Sequence, residues 1–328
     1  MTAASTRPRV ALTLGDPAGV GPELGAMLLA VATNLHKAEV YILADASELD
    51  EACARAGVTV ALSDVPTPGF ATLLDDGTAP TEPIELGVIS EAAGLRAMHQ
   101  LRRAVALANA GKIDAIVFTP LNKTSLHMGG MDQEDELRWF AKQLDFTGTT
   151  SELNILDGLW TSRVTSHVAI KDVAERVTEA AVTAAIQLLH GVLSDSGIAA
   201  PRIGVAALNP HNGENGLFGR EEIDEIAPGV VAAQDLGIDV SGPFPSDTIF
   251  LARHKFDGIV TQYHDQGQIA MKLLGFDGGV TVQGGLPIVV ATPAHGTAFD
   301  IVGTGKVNLA STQNAFDVAV AVAGRGPV

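Results

Sequence analysis

Nine histidines occur in the sequence, and three of them stand in polar loops that follow apolar stretches. The three loops are Thr165-Ser166-His167, Asn209-Pro210-His211-Asn212-Gly213-Glu214 and Gln262-Tyr263-His264-Asp265-Gln266-Gly267. A neutral imidazole is a common ligand of zinc and other borderline divalent metals. Three such ligands with an open fourth position make a catalytic rather than a structural centre. Asp265 and Glu214 could accept from ring nitrogens and so fix the tautomers. Spacing does not by itself make the three histidines converge, and separate polar loop histidines are the alternative reading. His36, His99, His190 and His254 lie in or beside helix-like or charged segments and read as structural, while His127 follows a lysine loop and is ambiguous. Asp247, in Pro245-Ser246-Asp247-Thr248, has two readings. It is a helix cap or first-turn acid, or a carboxylate beside the metal that ligates it or accepts a proton.

A second kind of chemistry is suggested by glycine loops. The run Leu14-Gly15-Asp16-Pro17-Ala18-Gly19-Val20-Gly21-Pro22-Glu23 joins a strand to a helix, although it is not GxGxxG. Glycines there allow close backbone approach, and a helix N-terminus can face an anion or cofactor. Ordinary turns often look the same.

The elements that must position these residues alternate between strand-like and helix-like. Arg9 to Leu14, Val40 to Leu43, Ala115 to Phe118, Arg163 to Thr165, Ile203 to Leu208 and Gly258 to Thr261 read as strands. Pro22 to Ala32, Ser47 to Ala56, Ser90 to Ala110, Thr178 to Leu193 and Ala310 to Ala323 read as helices, with Thr178 as a cap. This order implies an α/β chain with largely parallel strands, whose loops at the strand carboxyl ends are the expected ligand positions. Pro66 to Pro83, rich in Pro, Gly and Thr, reads as a surface excursion.

Composition narrows the class. The chain has 328 residues, 46% hydrophobic and 18% charged, enough for two domains or one large α/β unit with a substantial core. A net charge of −17 repels nucleic acid and anionic membranes, so an anionic substrate needs a local positive site. Aromatics at 5% argue against base-stacking platforms. The single cysteine, Cys53, excludes an intramolecular disulfide and a cysteine-based zinc site. No apolar run reaches the roughly 20 residues of a membrane helix. Met1 to Pro8 lacks a signal pattern, so a cytoplasmic location is expected.

The run from His295 to Asn308, His-Gly-Thr-Ala-Phe-Asp-Ile-Val-Gly-Thr-Gly-Lys-Val-Asn, closely resembles the adenine-binding loop of the isocitrate and isopropylmalate dehydrogenase superfamily. The resemblance implies that His295 and Asn308 lie against adenine, with Gly296, Thr297 and Ala298 beside them. Asp300 would accept hydrogen bonds from the ribose hydroxyls and repel a 2′-phosphate, which favours NAD over NADP. Gly15 and Asp16 resemble the first loop of the same superfamily. Joined to Gly15-Asp16-Pro17-Ala18-Gly19, Thr119-Pro120-Leu121-Asn122-Lys123, Ser166-His167, Asn209-Pro210-His211, Tyr263-His264-Asp265-Gln266-Gly267 and His295-Gly296-Thr297-Ala298, the loop gives a resemblance over essentially the full length. The family it resembles is that of 4-hydroxythreonine-4-phosphate dehydrogenase and its paralogues, which serve pyridoxal-phosphate biosynthesis.

That resemblance implies two α/β/α domains with a cleft between them, at 1–128 plus 284–328 and at 129–283. It also implies a homodimer with the active site at the subunit interface. His167, His211 and His264 would bind one divalent cation, zinc first and cobalt, magnesium or manganese as alternatives. NAD would oxidise a secondary alcohol of a small hydroxy acid, and the β-keto acid would lose carbon dioxide. Lys272 matches a substrate-binding lysine and, with Asp247, is the expected catalytic pair; Lys123 is a second cation. The chain departs from the family around the substrate phosphate. The usual Gly-His-Thr-Glu stretch is replaced within Met131 to Leu137, which brings Asp135 and Glu136 forward as substrate contacts. Thr281 stands for an asparagine and Val290 for an arginine. Valine offers phosphate nothing where arginine offers a bidentate fork. The substrate is then either an unphosphorylated hydroxy acid or cyclic dihydrodiol, or a phosphorylated acid held differently. A shifted loop, with Asp132 to Glu136 opening a solvent-facing helix, is the plainer alternative, as is a ligand-binding paralogue without turnover.

Overall fold

The computed structural model describes residues 7–275 and 278–324. The chain forms two compact units, one of Met1–Thr147 with Leu286–Val328 and one of Gly148–Gly285.

The first unit carries a parallel sheet of β1 (Arg9–Thr13), β2 (Glu39–Ile42), β3 (Thr72–Leu73), β4 (Ala115–Phe118) and β11 (Val289–Pro293), in the order β3-β2-β1-β4-β11. Helices Gly21–Ala30, Ala46–Ala56, Glu91–Asn109 and Ala310–Ala323 connect or cover the strands. Strands buried on both faces read as continuous apolar runs, as Ala115–Phe118 does. Leu101, Ile116, Phe118, Trp139, Phe140 and Val290 share one core cluster. The Pro66 to Pro83 stretch is not wholly superficial: Ala71 and Thr72 are buried, and Thr72 opens the edge strand β3.

The second unit carries β5 (Ser151–Leu156), β6 (Leu159–Arg163), β7 (Ile203–Ala206), β8 (Val240–Phe244), β9 (Gly258–Thr261) and β10 (Val280–Gly284). Their order is β10-β5-β6-β9-β7-β8. β6, β9, β7 and β8 run parallel, while β5 is antiparallel to both β6 and β10. The strand expected at Arg163 to Thr165 ends where it was expected to begin. Asp157 and Gly158, at φ 48° and 81°, make a two-residue hairpin that starts pairing at Leu159. Among the described residues no single helix is long and apolar enough to cross a membrane.

Candidate functional site

The three histidine loops leave three neighbouring parallel strands, β6, β9 and β7, from their carboxyl ends. Two of them are fastened together. Thr165 donates from its backbone N–H and its hydroxyl to Gln262 O at 3.0 and 2.8 Å. His167 and His264, two residues beyond those anchors, therefore stand side by side with ring centroids 5.7 Å apart. Both line a cavity of about 320 Å³ with Ser166, Tyr263 and Asp265, over an apolar side made by Val168 and Val173.

The orientation of His264 is set from two sides. It opens the helix His264–Leu274. Gln266, in the first turn, accepts from Gln262 N at 2.8 Å and donates to Ala207 O at 2.7 Å, which pins that turn to the end of β7. His264 Nδ1 lies 2.7 Å from Asp265 Oδ1. A carboxylate can only accept, so Nδ1 carries a proton, and in the neutral ring Nε2 keeps its lone pair. That is the tautomer a metal ligand needs, with the outer carboxylate such ligands usually have. The donor chemistry thus fits a borderline divalent ion at His167 and His264.

The third histidine, His211, stands on the loop that follows β7. Its ring packs beside Phe218 at 6.5 Å. The loop around it is left-handed at His211, Asn212, Glu214 and Asn215, with φ from 43° to 57°. Such non-glycine conformations persist only when the surroundings hold them. Here Glu222, which is buried, accepts from Leu208 N, Asn209 N and Asn209 Nδ2 at 2.8, 2.6 and 3.0 Å. Glu221 accepts from Asn209 Nδ2 as well, at 2.6 Å, so two carboxylates hold the start of this loop.

Asp247 is an exposed first-turn acid of the short helix Ser246–Ile249, whose N-cap position is held by Pro245 without a side-chain cap bond. Lys272 is exposed in the last turn of His264–Leu274, about 12 Å along the axis from His264 at 1.5 Å per residue. Thr281, on β10, accepts at Oγ1 from Asn154 Nδ2 at 3.2 Å. Asn154 Oδ1 in turn accepts from Arg163 Nη1 at 3.0 Å and from Gln268. Arg163 also pairs with Glu152 and donates to Ser166, so a buried guanidinium stands behind the histidine cavity. Nothing in the sequence marked Glu152, Arg163 or Glu222. Glu152, Asn154 and Arg163 meet through the β5–β6 pairing, and Glu222 meets Leu208 and Asn209 where the chain turns back after β7.

In the first unit, Gly15 and Asp16 meet the 119–123 segment. Asp16 N donates to Pro120 O at 3.0 Å, and a side chain at Gly15 would lie 2.6 Å from Thr119 and Pro120 oxygens. Asp16 is buried, its Oδ1 accepts from Ala18 N at 2.8 Å, and burial pushes its carboxyl above the usual range. Lys123 is exposed at the start of the helix Lys123–Met128, which Asn122 caps. Asp135 caps Glu136–Gln143 by accepting from Arg138 N at 2.9 Å, and it also pairs with the Arg138 guanidinium. Glu136, Leu137, Trp139 and Phe140 are buried, so this helix does not simply face solvent.

The His295 to Asn308 run lies between β11 and the helix Ala310–Ala323. His295 Nδ1 is 3.0 Å from Gly296 O, so that nitrogen donates. Thr297 is buried, and Gly296 and Asp300 are exposed. Ala298 has φ 44°. Asn308 uses its side-chain oxygen on Ala310 N at 2.9 Å, which leaves its NH₂ group as a donor.

Parallel strands ending in histidine, glycine and acidic loops define an α/β protein with its polar chemistry at strand ends. The chain belongs to the pyridoxal phosphate biosynthetic protein PdxA family, whose profile matches residues 36–319. It is 50% identical over 332 residues to a protein of Pseudomonas aeruginosa provisionally named 4-hydroxythreonine-4-phosphate dehydrogenase 2, covering 96% of this chain and 97% of the relative. It is 38% identical over 308 residues to the D-threonate 4-phosphate dehydrogenase of Cupriavidus necator, covering 91% and 92%. The crystal structure of 4-hydroxythreonine-4-phosphate dehydrogenase from Klebsiella pneumoniae superposes with a TM-score of 0.83 at 34% identity, covering 98% and 99%. The α/β class and the family expected from the motifs are both borne out.

Proposed function

We propose that this chain is a NAD- and divalent-metal-dependent dehydrogenase that oxidises the secondary alcohol of a small phosphorylated hydroxy acid. 4-Hydroxythreonine 4-phosphate and D-threonate 4-phosphate, the substrates in its relatives' names, are the first candidates. The observation that carries the reading is the His167–His264 pair, with Asp265 holding the proton on His264 Nδ1. Bound NAD would supply a hydride acceptor, and a divalent ion, zinc before cobalt, magnesium or manganese, would polarise the alcohol oxygen.

The chain's own residues have the following parts. His167 and His264 hold the ion, with His211 as the third ligand. Asp247 accepts the alcohol proton, and Lys272 neutralises the substrate anion and returns a proton to the carbon that loses carbon dioxide. His295, Gly296, Thr297, Ala298, Asp300 and Asn308 take the adenosine half of NAD, with Gly15 and Asp16 as its further contacts. Thr281 and Lys123, with Asp135 and Glu136, are the proposed substrate contacts. The working form is a cytoplasmic homodimer.

The reading is tested by NADH formation from the two phosphorylated acids and their unphosphorylated counterparts, before and after chelation and zinc re-addition. The expected result is turnover of a phosphorylated acid that chelation abolishes and zinc restores, with NAD well preferred over NADP. Turnover that survives complete chelation, or equal use of NAD and NADP, contradicts it.

A further inference from the structure

Glu23 lies in the first turn of the helix Gly21–Ala30 and is 0% exposed. A glutamate in a first helical turn can usually reach water, where its charge costs nothing to keep. This one is turned inward, and burying a carboxylate is expensive unless hydrogen bonds compensate. Its Oε1 accepts from Gly303 N at 2.7 Å, across 280 residues of chain. Among the described residues its Oε2 has no hydrogen-bond partner.

Gly303 sits at the turn of the His295 to Asn308 run, with φ 72°. The 303–306 stretch is exposed, and its local bonds, Ile301 N to Ala298 O and Thr304 N to Ile301 O, both at 3.1 Å, hold the turn only to itself. Two bonds tie the run to the Gly15-to-Glu23 segment. Val20 N donates to Thr297 O at 3.0 Å, and Gly303 N donates to Glu23. The first tie needs Gly19, where a Cβ would lie 2.8 Å from Thr297. The two glycine-bearing runs at opposite ends of the sequence are thus one construction, and Glu23 is the only side chain of the pair of ties.

We propose that Glu23 is a positioning residue for the dinucleotide. It holds the 298–305 turn in the shape that receives the adenosine half, so that binding does not have to order an exposed loop. The inference rests on the reading of His295 to Asn308 as the NAD loop. A preorganised loop raises affinity by removing an ordering cost, so Glu23 acts on NAD binding more than on the chemical step. A charged acceptor makes a stronger hydrogen bond than a neutral one of the same shape. Glu23→Gln keeps the shape and weakens the bond, whereas Glu23→Ala removes it.

The test pairs two measurements on the full chain. Amide hydrogen exchange of the 296–306 segment, without nucleotide, reads the tether. Calorimetric NAD titration and the KM against kcat split read its consequence. Faster exchange in Glu23→Ala than in Glu23→Gln, and in Glu23→Gln than in wild type, is expected. The NAD Kd and KM should rise about tenfold or more in Glu23→Ala, with kcat falling less than KM rises and Glu23→Gln in between. If the alanine variant does not fold, the glutamine variant carries both readouts. Unchanged exchange overturns the proposal, as does faster exchange with an unchanged NAD Kd. A wild-type chain that binds no NAD overturns the cofactor reading itself, and faster exchange in the variants then leaves Glu23 as a purely structural tether.

Discussion

Arg163 donates from Nε to Ser166 Oγ at 2.6 Å, from a guanidinium only 5% exposed. The same side chain pairs with Glu152 and donates to Asn154 Oδ1 at 3.0 Å. It locks the end of β6 to the residue before His167. Removing one partner of a fully buried ion pair costs about 3–5 kcal/mol, and Glu152, with its side chain 19% exposed, puts this pair at the low end of that scale. Arg163→Met should lose stability on that scale in urea denaturation, and adding Glu152→Gln should recover part of it. An Arg163→Met chain as stable as wild type would mean that the pair contributes nothing net.

Gly94 and Gly129 mark a close helix approach in the first unit. A Cβ at Gly94 would lie 1.7 Å from Ser125 O, and one at Gly129 would lie 2.2 Å from Gly94 C. Helix Glu91–Asn109 thereby seats Lys123–Met128, the helix that begins with Lys123. No flexible side chain can move aside, because the clashing atoms are backbone. Gly94→Ala should cost at least about 1–3 kcal/mol through overpacking, read as a lower Tm. A change within about 0.5 kcal/mol, the ordinary range for surface sites, would show that the helices part easily.

Much of this arrangement was legible from the sequence, and the misses have physical causes. The runs at Ala115–Phe118 and Gly258–Thr261 fell on strands because doubly buried strands are continuously apolar. Thr178 caps its helix as expected, accepting from Ala181 N at 3.2 Å. The β5–β6 hairpin was missed although Asp157-Gly158 is a strong two-residue turn signal. Serine, glutamate, asparagine, threonine and arginine on its strands hid the apolar pattern, because these polar side chains build the network around Arg163. His167 and His264 meet because their strands are neighbours, a pairing that no local spacing encodes. Val290 reads in sequence as a lost arginine; in the fold it is a fully buried strand residue opposite Ile116. The Glu23–Gly303 contact spans 280 residues and leaves no periodic trace.

On the proposed metal reading, the His264–Asp265 contact sets how strongly the ion is held. Asp265→Asn preserves size but loses the charge that fixes the proton on Nδ1. Outer-sphere partners of this kind change metal affinity by about 10–100-fold. Zinc titration against a competing chelator should show a weaker Kd in that range for Asp265→Asn. Equal zinc affinity in Asp265→Asn and wild type would remove Asp265 from the site.

Glu48 predicts a pH dependence of stability. It is 6% exposed, and its Oε1 accepts from Gln100 Nε2 at 2.8 Å. Gln100 in turn accepts from Leu14 N at 2.7 Å, immediately before the Gly15-Asp16 turn. Burial, opposed in part by Arg96, pushes the Glu48 carboxyl from 4.5 up to about 7. The folded chain therefore binds this proton more tightly than the unfolded chain does. The associated stability is fully present below about pH 4.5 and is lost as pH rises through about 7. Over that window the loss amounts to about 3 kcal/mol. Glu48→Gln mimics the protonated form, keeps an acceptor for Gln100 and leaves Arg96 with Asp45 at 2.9 Å. It should match wild type in urea near pH 4.5 and exceed it near pH 8, because only the wild type must then bury a charge. Comparing the two chains at each pH cancels the other titrating groups. A stability difference that stays constant across the window would show that Glu48 titrates at the same pH folded and unfolded.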